Sequence, residues 1–164
     1  MRNLEEGTGM RRYVVAAALV ALALPAVAAA KGPVSASIAG PGLDRALAIR
    51  GDGEGPGTAL GTLADASGYF PQMFDQSPDP TLASRPTGTL GLRYTVVYVV
   101  PGPNDIRSRV VQHIYPYAKP VALTFMKPGQ SFWDGKRTHG GWFRASPALK
   151  KMLVRAGLPT RAQS

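Results

Sequence analysis

The chain has 164 residues, which is enough for one globular domain but not comfortably for two. Hydrophobic residues make up 45% of the sequence, a fraction too high for an intrinsically disordered chain. The sequence contains no cysteine. Disulfides, thiolate metal sites and a cysteine nucleophile are therefore excluded, and the hydrophobic core must supply the stability.

Positive charge is in excess along the chain. Lys and Arg number 19 against 10 acidic residues, which gives a formal net charge of +9. A basic surface attracts anions, so this balance is compatible with a polyanionic partner. The alternative interpretation is that the charge serves no specific partner, as in many basic secreted proteins.

The N-terminus has the three parts of a secretory signal peptide. Arg11 and Arg12 form a positive region, Val14–Leu24 forms an apolar region, and small residues follow up to Ala30. The cleaving peptidase accepts small side chains because its pocket is shallow. We therefore expect cleavage after Ala30, with cleavage after Ala28 as the alternative.

Two features of this segment have more than one interpretation. An uncleaved anchor would need about 20 strongly apolar residues, whereas this run is shorter and diluted by alanine. The arginine pair allows export by the general secretory or the twin-arginine route, and translation could begin at Met1 or at Met10. In each case we predict that residues 1–30 are removed and that residues 31–164 form one secreted, extracellular domain.

Alternation of apolar and polar residues predicts an antiparallel sheet of about five strands. The predicted strands are Val34–Ile38, Ala46–Arg50, Leu92–Val100, Ile106–Tyr115 and Val121–Met126. The Ile106–Tyr115 segment also fits a helix, in which Ile106, Val110 and Ile114 would share one stripe. Its β-branched content and the short turn before it favour a strand that pairs with Leu92–Val100.

Two helices complete the predicted α+β fold. A short helix is expected over residues 58–67, with Thr58 as its N-cap. A C-terminal amphipathic helix is expected over Pro147–Ala156, because Ser146 is a good N-cap, proline suits the first helical position and Gly157 follows the last turn. The residues predicted to pack on the sheet are Leu149, Met152 and Leu153.

Two segments are predicted to lack regular structure. Asp75–Leu90 is rich in proline, serine, threonine and aspartate, and it is expected to be a long ordered loop. Loops of this length are often functional, so it is a candidate surface for a protein partner. Ser131–Ala145 is expected to be a second long loop or an irregular hairpin, because glycines interrupt it.

The C-terminal third combines basic with aromatic side chains. Basic groups attract a polyanion, and flat rings stack on sugars or bases. The predicted binding residues are Trp133, Lys136, Arg137, Trp142, Arg144, Lys150 and Lys151. For an exported protein, the expected partner is an anionic cell-wall polymer or a membrane surface, and nucleic acid is not expected. In the alternative interpretation, both tryptophans anchor the core and the charges form a solvated rim.

Reaction chemistry is weakly encoded in this sequence. His139 and Asp134 could form an oriented acid–base pair, with Ser131 or Ser146 as a nucleophile, but no triad or elbow spacing accompanies them. Two isolated histidines without cysteine predict no metal site, and no cofactor motif is present. The sequence thus favours a non-catalytic protein, with a small secreted hydrolase as the alternative, and it does not predict an oligomeric state.

Three segments carry a resemblance to a known group of proteins. These segments are Ala36–Leu43, Gln112–Ala118 and His139–Phe143. With them the chain resembles small secreted proteins of high-GC Gram-positive bacteria over most of residues 31–164. The resemblance implies export, and it brings no activity, ligand or catalytic residue with it.

Overall fold

The computed structural model describes residues 32–55 and 57–162. The predicted signal peptide with its cleavage site at Ala30 lies outside the described residues. The elements in chain order are β1 (Ser35–Ala39), β2 (Leu47–Arg50), α1 (Ala59–Ser67), α2 (Tyr69–Met73), β3 (Tyr94–Pro101), β4 (Arg107–Tyr115), β5 (Leu123–Met126), β6 (Ser131–Phe132), β7 (Lys136–Arg137), β8 (Gly141–Arg144) and α3 (Pro147–Arg155).

Six of the strands form one antiparallel sheet in the order β2-β1-β3-β4-β5-β8. Its longest ladder joins β3 to β4, from Tyr94 opposite Ile114 to Pro101 opposite Arg107. Strands β6 and β7 form a separate two-stranded hairpin. The predicted α+β class, the antiparallel sheet, the short helix and the C-terminal helix are confirmed.

The structure decides the alternative for Ile106–Tyr115 in favour of a strand, β4. Burial alternates along it, since Val110 and Ile114 are fully buried whereas Val111 between them is only half-buried. A helix would instead have placed its apolar residues on one stripe. It pairs with β3 along one edge and, over Gln112–Tyr115, with β5 along the other.

Strand β8 and helix α2 were not among the predicted strands and helices. Strand β8 adds a sixth strand within the segment predicted to be irregular, and Trp142 there pairs with Phe125 of β5. Gly140 just before the strand and Gly141, its first residue, take positive φ values of 78° and 101°, which turn the chain into the strand. Helix α2 carries Pro71 inside its first turn, where the missing backbone N–H is tolerated.

Gly68 forms the elbow between α1 and α2. Its φ of 72° lies in the left-handed region, and its backbone N–H donates to the Asp65 carbonyl at 3.1 Å. A Cβ atom at this position would lie 2.3 Å from the Phe143 ring of β8. Backbone conformation and close packing therefore both require glycine here.

The helices pack on one face of the sheet. From β3, the fully buried Val96, Tyr98 and Val100 point to this face. They share one apolar cluster with helix residues, which include Leu60, Leu63, Tyr69, Met73, Leu149 and Leu153. This cluster is the main core of the domain.

The opposite face of the sheet is half-buried. Val97, Val99 and Val111 point to this face, and they belong to neither apolar cluster of the described residues. One corner is covered, because Leu90 packs there against the buried Tyr115 in a small second cluster. Antiparallel sheets commonly leave one face to solvent in this way.

A buried polar network joins the sheet to the α1–α2 elbow. Nε2 of Gln112 donates to the Ser67 carbonyl at 3.0 Å and to Oε1 of Gln72 at 2.5 Å. The Tyr98 hydroxyl donates to Oε1 of Gln112 at 3.0 Å, and the Thr124 hydroxyl donates to the Ser67 carbonyl at 2.7 Å. All five residues are fully buried. Burial also holds the pKa of Tyr98 well above its usual range, so its hydroxyl stays a donor.

The side chain of Gln130 continues the pairing of β4 beyond the end of β5. Its Oε1 accepts from the Val111 backbone N–H at 2.8 Å, and its Nε2 donates to the Val111 carbonyl at 2.7 Å. The pairing between β4 and β5 itself ends at Met126. A side-chain amide thus satisfies the strand edge where no further strand is available.

Replacing Gln112 by leucine tests the buried network. We expect Gln112→Leu to lower the free energy of unfolding by about 2–4 kcal/mol, because Gln72 and Tyr98 each lose a buried hydrogen-bond partner. Equilibrium denaturation with urea measures this change. The matched control is Gln76→Leu at an exposed position, for which a change within about 0.5 kcal/mol is expected. Equal small changes in both variants would contradict the role of the network.

Candidate functional site

A groove of about 910 Å³ lies beside α3. Its walls are α3 itself, the segment 116–122 that connects β4 to β5, and residues 160–162 beyond the helix. The volume falls within the range of about 300–1,000 Å³ that is usual for ligand pockets. The groove is therefore large enough for part of a polymer or for a small molecule.

The less exposed part of the groove lining is apolar. Its residues are buried or half-buried, and none carries a charge. We refer to them as the apolar floor, which consists of Pro116, Ala118, Val121, Ala122, Ala145 and Val154. The residues of the floor come from three segments: the β4–β5 connector, the residue that follows β8, and α3.

The outer part of the groove is cationic. We refer to its basic residues as the cationic rim, which consists of Lys119, Lys150, Lys151, Arg155 and Arg161. No Asp or Glu lines the groove. Over residues 32–55 and 57–162, the ion pairs are those of His139, so no rim residue is paired with a carboxylate there. The rim charges are thus not neutralised within the described part of the chain.

The sequence of α3 explains how one helix supplies both core and rim. The Ser146 hydroxyl caps it by accepting from the Ala148 backbone N–H at 3.3 Å. Leu149, Met152 and Leu153 are buried, whereas Lys151 and Arg155 are exposed. Lys151 and Arg155 are four residues apart, which places them on the same side of the helix. Helical periodicity therefore sets two rim charges next to each other.

Tyr117 fixes the two sides of the groove to each other. Its hydroxyl donates to the Pro159 carbonyl, which ties the chain beyond α3 to the β4–β5 connector. Burial, together with the hydrogen bond and charge of Tyr94, raises the pKa of Tyr117 to about 12, so the hydroxyl keeps its proton. Nζ of Lys150 lies 5.1 Å from the centre of the Tyr117 ring. This cation–π contact holds the ammonium group over the groove.

A second depression of about 470 Å³ lies on the other side of the rim. Lys151 and Arg155 line both this depression and the groove. Its other walls come from α1 and from Ile49 of β2. Lys151 and Arg155 thus stand between two concave surfaces, and an anion can approach them from either side.

Of the predicted binding residues, Lys150 and Lys151 belong to the cationic rim, and three others lie in the β6–β7 hairpin. There the Trp133 ring packs edge-on against Phe132 at 5.2 Å between ring centres. Nζ of Lys136 lies 5.9 Å from the centre of the Trp133 ring, and the Arg137 guanidinium donates to a carbonyl of the adjoining turn at 3.0 Å. The Trp133 indole N–H also donates to the Pro101 carbonyl of β3 at 2.8 Å, so these side chains are engaged in contacts within the domain.

The remaining predicted binding residues lie on β8. The Trp142 ring stacks on Tyr115 and packs against Phe125, at centre-to-centre distances of 5.7 and 4.9 Å. Arg144 is the last residue of β8, where it pairs with Leu123 of β5, and it is exposed. Both tryptophan rings of the chain therefore face other aromatic rings, which is the arrangement of the core-anchor alternative.

The predicted binding residues thus lie in three places: the cationic rim, the β6–β7 hairpin and β8. The rim also contains three residues that were not predicted. Lys119, Arg155 and Arg161 complete the cationic rim and were not among the predicted binding residues. The four-residue spacing of Lys151 and Arg155 on the predicted amphipathic helix is a signal that points to Arg155. No local signal brings Lys119 or Arg161 to the groove, because each lies on a different segment of the chain.

His139, the catalytic candidate, lies between two carboxylates that the sequence did not connect to it. Its Nδ1 lies 2.6 Å from Oδ1 of Asp75, and its Nε2 lies 2.9 Å from Oδ2 of Asp79. The Thr81 hydroxyl lies 3.1 Å from the same Nε2. None of these hydrogen bonds involves Asp134, the predicted partner. The contacts instead attach the 75–90 loop to the start of β8.

This arrangement stabilises His139 as a cation. Burial lowers its pKa, but the hydrogen bonds to Asp79 and Asp75 and their charges raise it by more, so the pKa lies above its usual value. Hydrogen bonds from Thr81, and the contact with His139, hold the pKa of Asp79 below its usual value. Nε2 must carry a proton to bond with Asp79, so it cannot also accept the proton of the Thr81 hydroxyl. The ring is thus poorly suited to act as a general base.

The rest of the 75–90 loop is also attached to the sheet. Leu82 exchanges two backbone hydrogen bonds with Trp142, of 2.7 and 2.9 Å, and so lies along the free edge of β8. Near the other end of the loop, the Lys119 backbone N–H donates to the Thr89 carbonyl at 2.8 Å. The loop is therefore ordered without regular structure, as the sequence predicts.

Comparison with known proteins adds no further assignment. No family model, no curated protein and no solved structure matches the chain. Among the described residues, no group of three or more His, Cys, Asp or Glu side chains could hold a metal ion. No helix in that part of the chain is both long and apolar enough to cross a bilayer. The groove and the His139 cluster are accordingly interpreted from their own geometry.

The His139 cluster predicts a pH-dependent contribution to stability. Because the pKa of His139 is raised in the folded state, its stabilising effect is present below the unfolded pKa and is lost as the pH rises through the folded pKa. His139→Gln should therefore lower the melting temperature more at about pH 5.5 than at about pH 8.5, on either side of the usual histidine pKa.

His113→Gln is the matched control for this measurement. Burial and the nearby Arg93 charge lower the pKa of His113, so its protonation destabilises the folded state as the pH falls. The loss of melting temperature in His113→Gln should therefore shrink at low pH, the opposite trend. The same pH trend in both variants would rule out the assigned role of His139.

Proposed function

We propose that this protein is an exported, non-catalytic protein that binds an anionic polymer of the cell envelope in the groove beside α3. The single observation that carries the proposal is the cationic rim: five basic side chains surround one groove, and no acidic residue lines it. A groove lined by one sign of charge focuses the electrostatic potential and raises the local concentration of counter-ions.

The placement of the rim charges supports a polymer over a single small anion. They come from three segments of the chain, namely the β4–β5 connector, α3 and the residues beyond it. Lys151 and Arg155 also face the second depression, so the basic surface extends across the helix. An anion with several charged groups can contact such a surface at several points at once, and the contacts add up.

Export is the second part of the proposal and is supported by the sequence. The positive region, the apolar region and the small residues before Ala30 are the parts of a secretory signal. An exported protein meets the anionic polymers of the envelope, or the anionic membrane surface, outside the cell. The absence of cysteine does not conflict with this, because the core described above provides the packing that disulfides would otherwise supplement.

The groove supports this function better than the His139 cluster supports hydrolysis. Both ring nitrogens of His139 are engaged by carboxylates, and these contacts raise the pKa of the ring above its usual value. A general base must instead accept a proton near the working pH. The groove, in contrast, presents basic side chains that form no ion pair with a carboxylate in the described part of the molecule.

Removing two rim charges tests the proposed function. In a sedimentation assay with isolated cell envelope, we expect Lys151→Gln/Arg155→Gln to weaken binding about 30-fold at low salt, at roughly 1 kcal/mol per basic residue. Binding of the unaltered protein should also fall steeply as salt rises from about 50 mM to about 500 mM, because screening weakens charge contacts.

The matched control is Lys136→Gln/Arg137→Gln in the β6–β7 hairpin. It also removes one lysine and one arginine charge, but from exposed positions outside the groove, which stays intact. We expect it to bind envelope within about twofold of the unaltered protein, as is usual for surface charges outside an interface. Equal losses in both double variants, or binding that salt does not weaken, would refute the assignment to the groove.

A further inference from the structure

The groove has two zones of different chemistry. The apolar floor is buried or half-buried, whereas four of the five residues of the cationic rim are exposed. A polymer of charged groups alone would use the rim and leave the floor in contact with water. The apolar floor therefore indicates that the ligand also has an apolar part, which the charge of the rim alone does not indicate.

We infer that the groove binds an anionic amphiphile, with a phosphate group at the cationic rim and an aliphatic chain along the apolar floor. This inference rests on the proposed function and makes it more specific, because the lipid end of an envelope polymer has this chemistry. A free phospholipid has it as well, and the experiment below distinguishes the two sources.

The boundary between the two zones has a fixed cation. Lys150 is half-buried, and the Tyr117 ring holds its ammonium group at 5.1 Å from the ring centre. Tyr117 is itself tied to the Pro159 carbonyl through its hydroxyl. A phosphate group that sits at this boundary meets a pre-positioned charge, so less side-chain entropy is lost on binding.

The floor offers aliphatic contacts on both walls of the groove. Val154 projects from α3 and Val121 from the β4–β5 connector, and both are half-buried in the absence of any ligand. Each methylene group that is fully removed from water against such side chains contributes enough hydrophobic free energy to raise affinity about fourfold. Affinity for this groove should therefore depend on chain length.

A homologous series of alkyl phosphates tests this directly. Butyl, hexyl and octyl phosphate are titrated into the full protein by calorimetry, below their micelle concentrations. We expect the affinity to rise about two- to fourfold per added methylene group, the lower value applying to partial burial. Added salt should lower the affinity for all three ligands by a similar factor, because screening acts on the phosphate group that they share.

Two variants connect the chain-length effect to the floor. Val121→Thr/Val154→Thr keeps the shape of both side chains and adds two hydroxyl groups, so we expect the dependence on chain length to decrease and affinity for octyl phosphate to fall about tenfold. Val97→Thr/Val111→Thr makes the same change on the half-buried sheet face and should bind all three ligands like the unaltered protein. Melting curves of both double variants verify that each is folded.

The outcomes separate this inference from the proposed function. Envelope binding that depends on the rim, together with alkyl phosphate affinities that do not rise with chain length, would overturn the inference and leave the function standing. Affinities that rise with chain length, without envelope binding, would support the inference with a free lipid as the source and overturn the polymer. If octyl phosphate releases the protein from envelope, the lipid end of the polymer is the source.

Discussion

The carboxamide of Gln112 is the interaction on which the rest of the structure depends. It joins the centre of the sheet to the Ser67 carbonyl at the end of α1 and to Gln72 of α2. The contact is fully buried, and each group left without a partner there would cost about 1–3 kcal/mol. The elbow between the two helices therefore has one favourable position on the sheet.

The same elbow positions the groove. The residue before Ser67 accepts a backbone hydrogen bond, since the Ser146 N–H donates to the Ala66 carbonyl at 2.9 Å. Ser146 is the N-cap of α3, so the start of the rim-bearing helix is attached to the end of α1. A network in the core thereby determines where Lys150, Lys151 and Arg155 stand relative to the β4–β5 connector. The position of the groove therefore depends on the packing of the core.

Much of the fold follows from local sequence signals. The N-cap at Ser146, the proline after it and the apolar stripe of α3 all agree, and alternation in β3 places Val96, Tyr98 and Val100 on one face. Strand β8 was not predicted because it is only four residues long and begins at a pair of glycines with positive φ, Gly140 and Gly141. Helix α2 was not predicted because a proline within five residues suggests a turn, although the first helical turn tolerates it.

The residues of the candidate site could be predicted only where they lie on one helix. Helical spacing connects the basic residues of α3, but Lys119 and Arg161 reach the groove through the topology of the sheet and the chain beyond α3. For the same reason Trp133 and Trp142, which are nine residues apart in sequence, belong to different structural units. His139 likewise finds its carboxylates in a loop 60 and 64 residues away, which no local pattern indicates.

The most direct test of the account is a titration of the protein with linear polyphosphate, followed by two-dimensional ¹H–¹⁵N NMR. The account predicts that the shifted backbone signals come from segment 116–122, from α3 and from residues 160–162. The indole N–H signals of Trp133 and Trp142 should stay in place, because both rings lie outside the groove. Shifts concentrated at those indoles and at the β6–β7 hairpin, with the groove unaffected, would contradict the assignment of the binding site.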